Sequence, residues 1–353
     1  MSRTNDNSKL VFYARIGLIL HAVVLTLFIL HLGQVLFIPL FFALLIAILL
    51  YPMSLFFERH HLKKNIAAIL SVIIFICFIG SIIYFFTVEL THFFKDLPKV
   101  QTKFLQLVQN IQDWLANKYN IDNAQQKAYI SKSANGMMSS VANSIGSTVI
   151  NTIEFVVLFI FFLIFTFFIL LHRRLLKQFI LSFFSDERQQ KKVNDIILTT
   201  RSIINSYVLG LLTEMAVLFV LIFLVLIIMG IKYALLMAVI AAVINVIPYL
   251  GIYTAAAISM LITLSNGTPN QAVEVGLVFI IVHFLDANII MPKIVGGRVK
   301  INPLITIVAV ITGKLIWGIP GMFLFIPLTG IIRIISQNVQ DLRPWAILIG
   351  EEK

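Results

Sequence analysis

Few ionisable side chains stand inside the long apolar runs of this sequence: His21, Glu214, His283, Asp286 and Lys314. A charge buried in hydrocarbon costs several kcal/mol unless it is paired or solvated by a cavity, so each is a candidate functional group. His283 and Asp286 are three residues apart, which puts them on one face of a helix. Asn288 follows, and Pro292 is expected to end that helix, because proline lacks the donor and clashes with the preceding turn. A carboxylate beside the end of a broken helix can bind a proton or a monovalent cation, and a nearby histidine titrates near neutrality. The bland alternative is that Asp286 pairs with Lys314 or Arg298 and holds a helical bundle together. His21 reads as a packing or interfacial residue.

The elements that must position these groups are unusual. From His283 to Leu328 the chain is apolar enough to sit in a membrane, yet Pro292, Gly296, Pro303, Gly313, Gly318, Gly321 and Pro327 interrupt it. Pro248 and Gly251 interrupt an earlier run. These residues shape hairpins. Irregular backbone at membrane depth is tolerated only where protein or a water-filled cavity surrounds it, as at the mid-membrane site of a transporter.

Composition agrees. Mean hydropathy is +0.98, and 12% of residues are charged, against about 25% in an ordinary soluble chain. An all-helical polytopic membrane protein follows. The net charge of +11 does not indicate nucleic acid, because the basic residues fall in short loops between apolar runs. The single cysteine, Cys77, lies in an apolar run, so neither a disulfide framework nor a thiol metal site is expected. Walker A, HExxH, CxxC and GxSxG patterns are missing, so the chain reads as a non-enzyme without cofactor or metal.

In chain order, residues 1–87 hold a polar tail and three spans, 11–32, 34–57 and 65–87, the first two expected to form a tight hairpin across His31–Gln34. Residues 88–151 are polar. Leu97, Val100, Phe104, Leu107, Ile111 and Trp114 form a heptad seam, a turn is expected at Asn120–Asn123, and Ile130, Ala134, Met137, Val141 and Ile145 mark a second helix. Together they read as an extracytoplasmic amphipathic hairpin. Residues 152–171 are a fourth span. Residues 172–207 are basic and amphipathic, expected to lie along the anionic membrane surface, with Ser185-Asp186-Glu187 as a helix start. Residues 208–335 form a C-terminal bundle of spans and broken hairpins, followed by a cytoplasmic tail, 336–353. The total is about eight spans plus a last hairpin around Gly318–Gly321, re-entrant or crossing twice. Lysine and arginine in short loops put both termini in the cytoplasm. Gly33 with Leu36-Phe37-Ile38-Pro39-Leu40 is echoed by Gly321 with Leu324-Phe325-Ile326-Pro327-Leu328, as an internal repeat would leave.

Several segments resemble one known family. Asn245-Val-Ile-Pro248-Tyr-Leu-Gly251 is similar to its I-P-x-x-G break. Asp286-Ala-Asn288-Ile-Ile-Met-Pro292-Lys-Ile-Val-Gly296 is similar to its acid-x-N-x-x-x-P-x-x-x-G segment. Asn302-Pro303-Leu304, with Gly313-Lys-Leu-Ile-Trp317-Gly318-Ile-Pro-Gly321 and Pro327-Leu328, resembles its C-terminal signature. The family is that of the autoinducer-2 exporters, or permease-M-like proteins, of the bacterial inner membrane. Lys314 and Asn302 depart from its commoner residues, glycine or a small residue and histidine respectively.

The resemblance implies a secondary transporter and an oligomer, with a pentamer expected. It implies either export of a small hydrophilic molecule such as the autoinducer-2 signal or sodium(lithium)/proton antiport. Asp286, Asn288, His283, Glu214, Asn245 and Lys314 are the expected substrate or ion contacts. A rival of another class is a non-transporting scaffold that docks partners on the 89–151 hairpin.

Overall fold

The computed structural model describes residues 3–119, 155–247, 251–294 and 301–351. Among them the chain is helical, with one isolated antiparallel bridge, Ile301 to Gly350. In order, the helices are α1 (Arg3–Leu32), α2 (Gln34–Arg59), α3 (Lys64–Tyr119), α4 (Phe155–Ser182), α5 (Glu187–Ile228), α6 (Ala234–Ile244), α7 (Gly251–Asn266), α8 (Pro269–Leu285), α9 (Met291–Ile294), α10 (Pro303–Asn338) and α11 (Arg343–Ile349). Six of these segments are long and apolar enough to cross a bilayer: α2, the first part of α3, α4, α5, α8 with α9, and α10. The apolar part of α1, α6 and α7 are shorter. The expected all-helical membrane protein is therefore present, with six long and three shorter apolar helices among the described residues.

Three boundaries differ from the sequence reading. The tight hairpin at His31–Gln34 is not formed. Gly33 N–H bonds Ile29 O and Phe37 N–H bonds Gly33 O, so helical hydrogen bonding carries through a one-residue kink. The helix of the third span does not stop near Thr87 but runs to Tyr119, its apolar, membrane-long part being Lys64–Asp96. The remainder of the expected outer hairpin lies outside the described residues, as do Pro248 and Gly296. The basic stretch 172–207 is the end of α4 and the start of α5, parted at 183–186, where the Asp186 carboxylate accepts from Arg188 N–H at 3.1 Å as the helix-start reading predicts.

The chain divides into two compact units, residues 1–48, 158–201 and 300–353 in one and 49–157 and 202–299 in the other. In the first, α10 is a folded-back pair of arms. Gly318 has φ 63° and ψ −140°, a conformation open to glycine alone. It separates an arm at 303–317, about 22 Å long at 1.5 Å per residue, from one at 319–338, about 30 Å long. Only the second matches the hydrocarbon thickness of about 30 Å. A Cβ on either Gly313 or Gly321 would collide with the other's carbonyl, so the arms meet backbone to backbone. Trp317 closes the tip. Its indole N–H donates to Leu30 O at 2.8 Å and its ring packs between Phe41 and Phe325. Phe42 of α2 stacks on Phe323 of the second arm. Asn302 clamps the other end. Its Oδ1 accepts from Ile305 N–H at 2.8 Å, capping α10, while its Nδ2 donates to Leu348 O at 2.6 Å and Gly350 O at 3.2 Å, tying down α11. That double use accounts for an asparagine where the resembled family often has histidine.

In the second unit, α5 to α8 surround a core that includes Leu218, Ile222, Leu226, Met237 and Phe279. Thr268 and Gln271 form a capping box that starts α8, with Pro269 at the first helical position. At the α5–α6 turn, Lys232 Nζ and Tyr233 Oη both reach Asp96 Oδ2 of α3 at 2.5 Å. The Asp96 hydrogen bond raises the Lys232 ammonium above its ordinary 10.5. A raised value means the cationic contact is fully present below 10.5 and weakens only as pH climbs beyond it.

The glycine contact in α10 makes a direct prediction. Gly313→Ala should destabilise the detergent-solubilised chain by about 1–3 kcal/mol through overpacking, lowering its thermal midpoint. Gly80→Ala, which meets nothing within 4 Å, should leave the midpoint unchanged or slightly raised. Equal midpoints for the two variants would contradict the close approach of the arms.

Candidate functional site

Each of three helices in the second unit carries a buried, mainly apolar stripe, and each stripe includes or leads to a polar residue. On α5 the stripe Ile204, Tyr207, Gly210, Leu218, Ile222 and Leu226 includes Glu214, 6% exposed. On α6 the buried positions Ala234, Ala238 and Ala241 lead to Asn245, the residue that caps the helix. On α8 the positions Ala272, Val275, Phe279 and Val282 lead to Asp286, 4% exposed. Helical spacing alone therefore brings two carboxyl groups and one amide into the same apolar interior.

The amide joins the acids. Asn245 Nδ2 lies 3.3 Å from Glu214 Oε1 and 3.3 Å from Asp286 Oδ2. A side-chain amide has two N–H donors, so one group serves both oxygens. The second oxygens, Glu214 Oε2 and Asp286 Oδ1, are buried without a hydrogen-bond partner among the described residues. Two buried carboxyl groups sharing one amide are under-supplied with positive charge. The arrangement can take up a proton or a monovalent cation, either of which would supply what the amide cannot.

Glycine and a wide helical turn make this geometry possible. A Cβ on Gly251 would collide with Ile244 O and with the Asn245 backbone, so only glycine lets α7 begin against the end of α6. Asp286 opens a π-helical stretch, Asp286–Ile290, in which Met291 N–H bonds Asp286 O. The expectation that Pro292 breaks the helix is corrected here. The missing Pro292 donor and its clash with the preceding turn are absorbed by one widened turn, and the helix continues to Ile294.

The structure thus brings together Glu214, Asn245 and Asp286, with His283 one turn before Asp286 and close enough to act on it electrostatically. Asn288 is exposed and donates to Phe284 O of its own helix at 2.8 Å. Residues two apart on a helix point to different sides, so Asp286 and Asn288 do not act as one pair. His283 packs edge-on against the Tyr253 ring, centroids 5.2 Å apart, with its Nδ1 buried and unbonded among the described residues. Lys314 belongs to the first unit, on the first arm of α10, and is exposed. His21 is exposed on α1, and Cys77 is exposed on α3. Sequence reasoning missed Tyr207, 5% exposed and two turns before Glu214 on the same face of α5; the seven-residue spacing was the available signal.

Residues 19–341 match the profile described as the AI-2E family transporter. The chain belongs to that family. YrrI of Bacillus subtilis is 24% identical over 322 residues, covering 88% of each chain. BpOF4_00890 of Alkalihalophilus pseudofirmus is 26% identical over 308 residues, 81% of this chain and 77% of its own. YhhT of Escherichia coli K12 is 30% identical over a local stretch of 123 residues, 35% of each chain. All three are named only as candidate transport proteins. Family and apolar helices together make this AI-2E member a multi-pass membrane transporter.

The geometry separates two asparagines that the sequence put forward together. Asn245→Ala removes hydrogen bonds to acidic groups, each worth about 1.5–3 kcal/mol, and should weaken ion-dependent transport in proteoliposomes roughly tenfold or more in half-saturating ion concentration. Asn288→Ala should change it no more than about twofold, since only a bond to its own helix is lost. The reverse order would contradict this assignment.

Proposed function

We propose that this chain is a secondary transporter that moves a small hydrophilic molecule out of the cell, with the autoinducer-2 signal as first candidate cargo. Protons and monovalent cations compete at Glu214, Asn245 and Asp286 to drive the movement. The observation that carries the reading is the Asn245 amide shared between two buried carboxyl groups whose remaining oxygens lack partners among the described residues. Such a site gains stability from a bound positive charge. It alternates between two occupants if neither binds too tightly.

We further propose a bacterial inner-membrane location with both termini cytoplasmic, on the count of lysine and arginine in short loops. A homo-oligomer, with a pentamer as first candidate, accords with the amphipathic pattern beyond the third span.

The acid pair also favours a second reading, in which the cation is itself the cargo and the chain is a sodium(lithium)/proton antiporter. Two measurements separate the readings. In cells lacking their own exporter, the chain should lower internal and raise external autoinducer-2, and Asp286→Asn should abolish the change. If the pools do not move while sodium addition shifts the internal pH of proteoliposomes carrying the chain, the antiporter reading replaces export. Silence in both measurements would end the assignment of transport to this site.

A further inference from the structure

We propose that Tyr233, held by Asp96 at the start of α6, is a positioning residue that sets where the Asn245 amide stands between Glu214 and Asp286. The inference rests on the reading of that trio as the ion site. It begins from the sequence of α6, Ala-Leu-Leu-Met-Ala-Val-Ile-Ala-Ala-Val-Ile. No side chain in it can donate a hydrogen bond. A directional side-chain contact along its length among the described residues is a long one, Thr263 Oγ1 to Met237 Sδ at 3.9 Å. Aliphatic packing is non-directional, so the rotation and axial placement of such a helix are set at its two ends.

At the far end is Asn245. At the near end, Tyr233 adopts φ 65° and ψ 26°, a left-handed conformation disfavoured for a bulky side chain. Several contacts hold it there. Its hydroxyl donates to Asp96 Oδ2 at 2.5 Å, its ring meets Phe93 edge-on at 5.6 Å, and Lys232 Nζ lies 4.9 Å over the ring while sharing the same carboxylate oxygen. Tyr233 O then accepts from Met237 N–H at 3.0 Å, the first hydrogen bond of the helix. If Tyr233 relaxed to ordinary backbone angles, α6 would start in a different direction. The Asn245 contacts, already 3.3 Å long, tolerate little rotation before they cease to be hydrogen bonds. A latch on α3 is in this way connected through an eleven-residue helix to the site.

A double-variant cycle on the full chain in proteoliposomes tests this, reading the half-saturating sodium concentration of transport beside the thermal midpoint. Tyr233→Phe keeps the ring and removes only the hydroxyl. It should raise the half-saturating concentration about three- to tenfold with the midpoint nearly unchanged, and add nothing further in an Asn245→Ala background. Asp96→Asn, which retains an acceptor for the hydroxyl, should stay near wild type, whereas Asp96→Leu should reproduce Tyr233→Phe. An effect of Tyr233→Phe that adds fully to Asn245→Ala, or that lowers only the midpoint or maximal rate, would overturn the positioning role alone. An Asn245→Ala single variant with wild-type sodium dependence would overturn the site reading and this inference with it.

Discussion

One amide with two buried acids is the constraint on which the second unit depends. Asn245 has two N–H donors and uses them on Glu214 and Asp286, leaving one oxygen of each acid without a partner among the described residues. In an apolar interior that deficit is larger than the worth of most single contacts. It is not relieved by sliding α5 or α8, because Glu214 and Asp286 lie on buried stripes of those helices. Relief comes from a small positive species or from a coordinated movement of α5, α6 and α8. For a transporter, that link between occupancy and helix placement is the useful property.

Glycine supplies the backbone freedom in both units, by different means. At Gly313 and Gly321 the absence of Cβ lets two arms touch directly, and Gly318 takes the left-handed turn between them. At Gly251 the absence of Cβ lets α7 begin on the last residues of α6. The π-helical stretch at 286–290 solves a related problem around Pro292 by widening one turn instead of stopping the helix. All of these irregular places lie where hydropathy alone would draw a continuous span.

Much of this was legible in the residues. Mean hydropathy, the few charged positions and the proline-glycine punctuation led to an all-helical membrane protein with short, interrupted elements after residue 230. Glu214 and Asp286 stood out because burying a carboxylate needs a reason. What composition and spacing could not supply was the third dimension. Asn288 looked like the natural partner of Asp286, but two residues along a helix it points to another side, and Asn245, from another helix, takes the place. The Asp96–Lys232–Tyr233 contact joins residues about 136 positions apart and leaves no local pattern to read. The junction at Gly33 looked like a hairpin because a short polar break usually is one; continued backbone hydrogen bonding made it a kink.

The account stands or falls on whether protons and cations compete at the acid pair, and that can be measured without transport. Purified full-length protein in weakly buffered detergent solution, given sodium or lithium chloride at constant ionic strength, should release protons, detected by a pH indicator dye. The Glu214→Gln/Asp286→Asn double variant, folded by its thermal transition, should release none. Equal release from both proteins, or none from the wild type, would contradict the assignment of the coupling site to Glu214, Asn245 and Asp286.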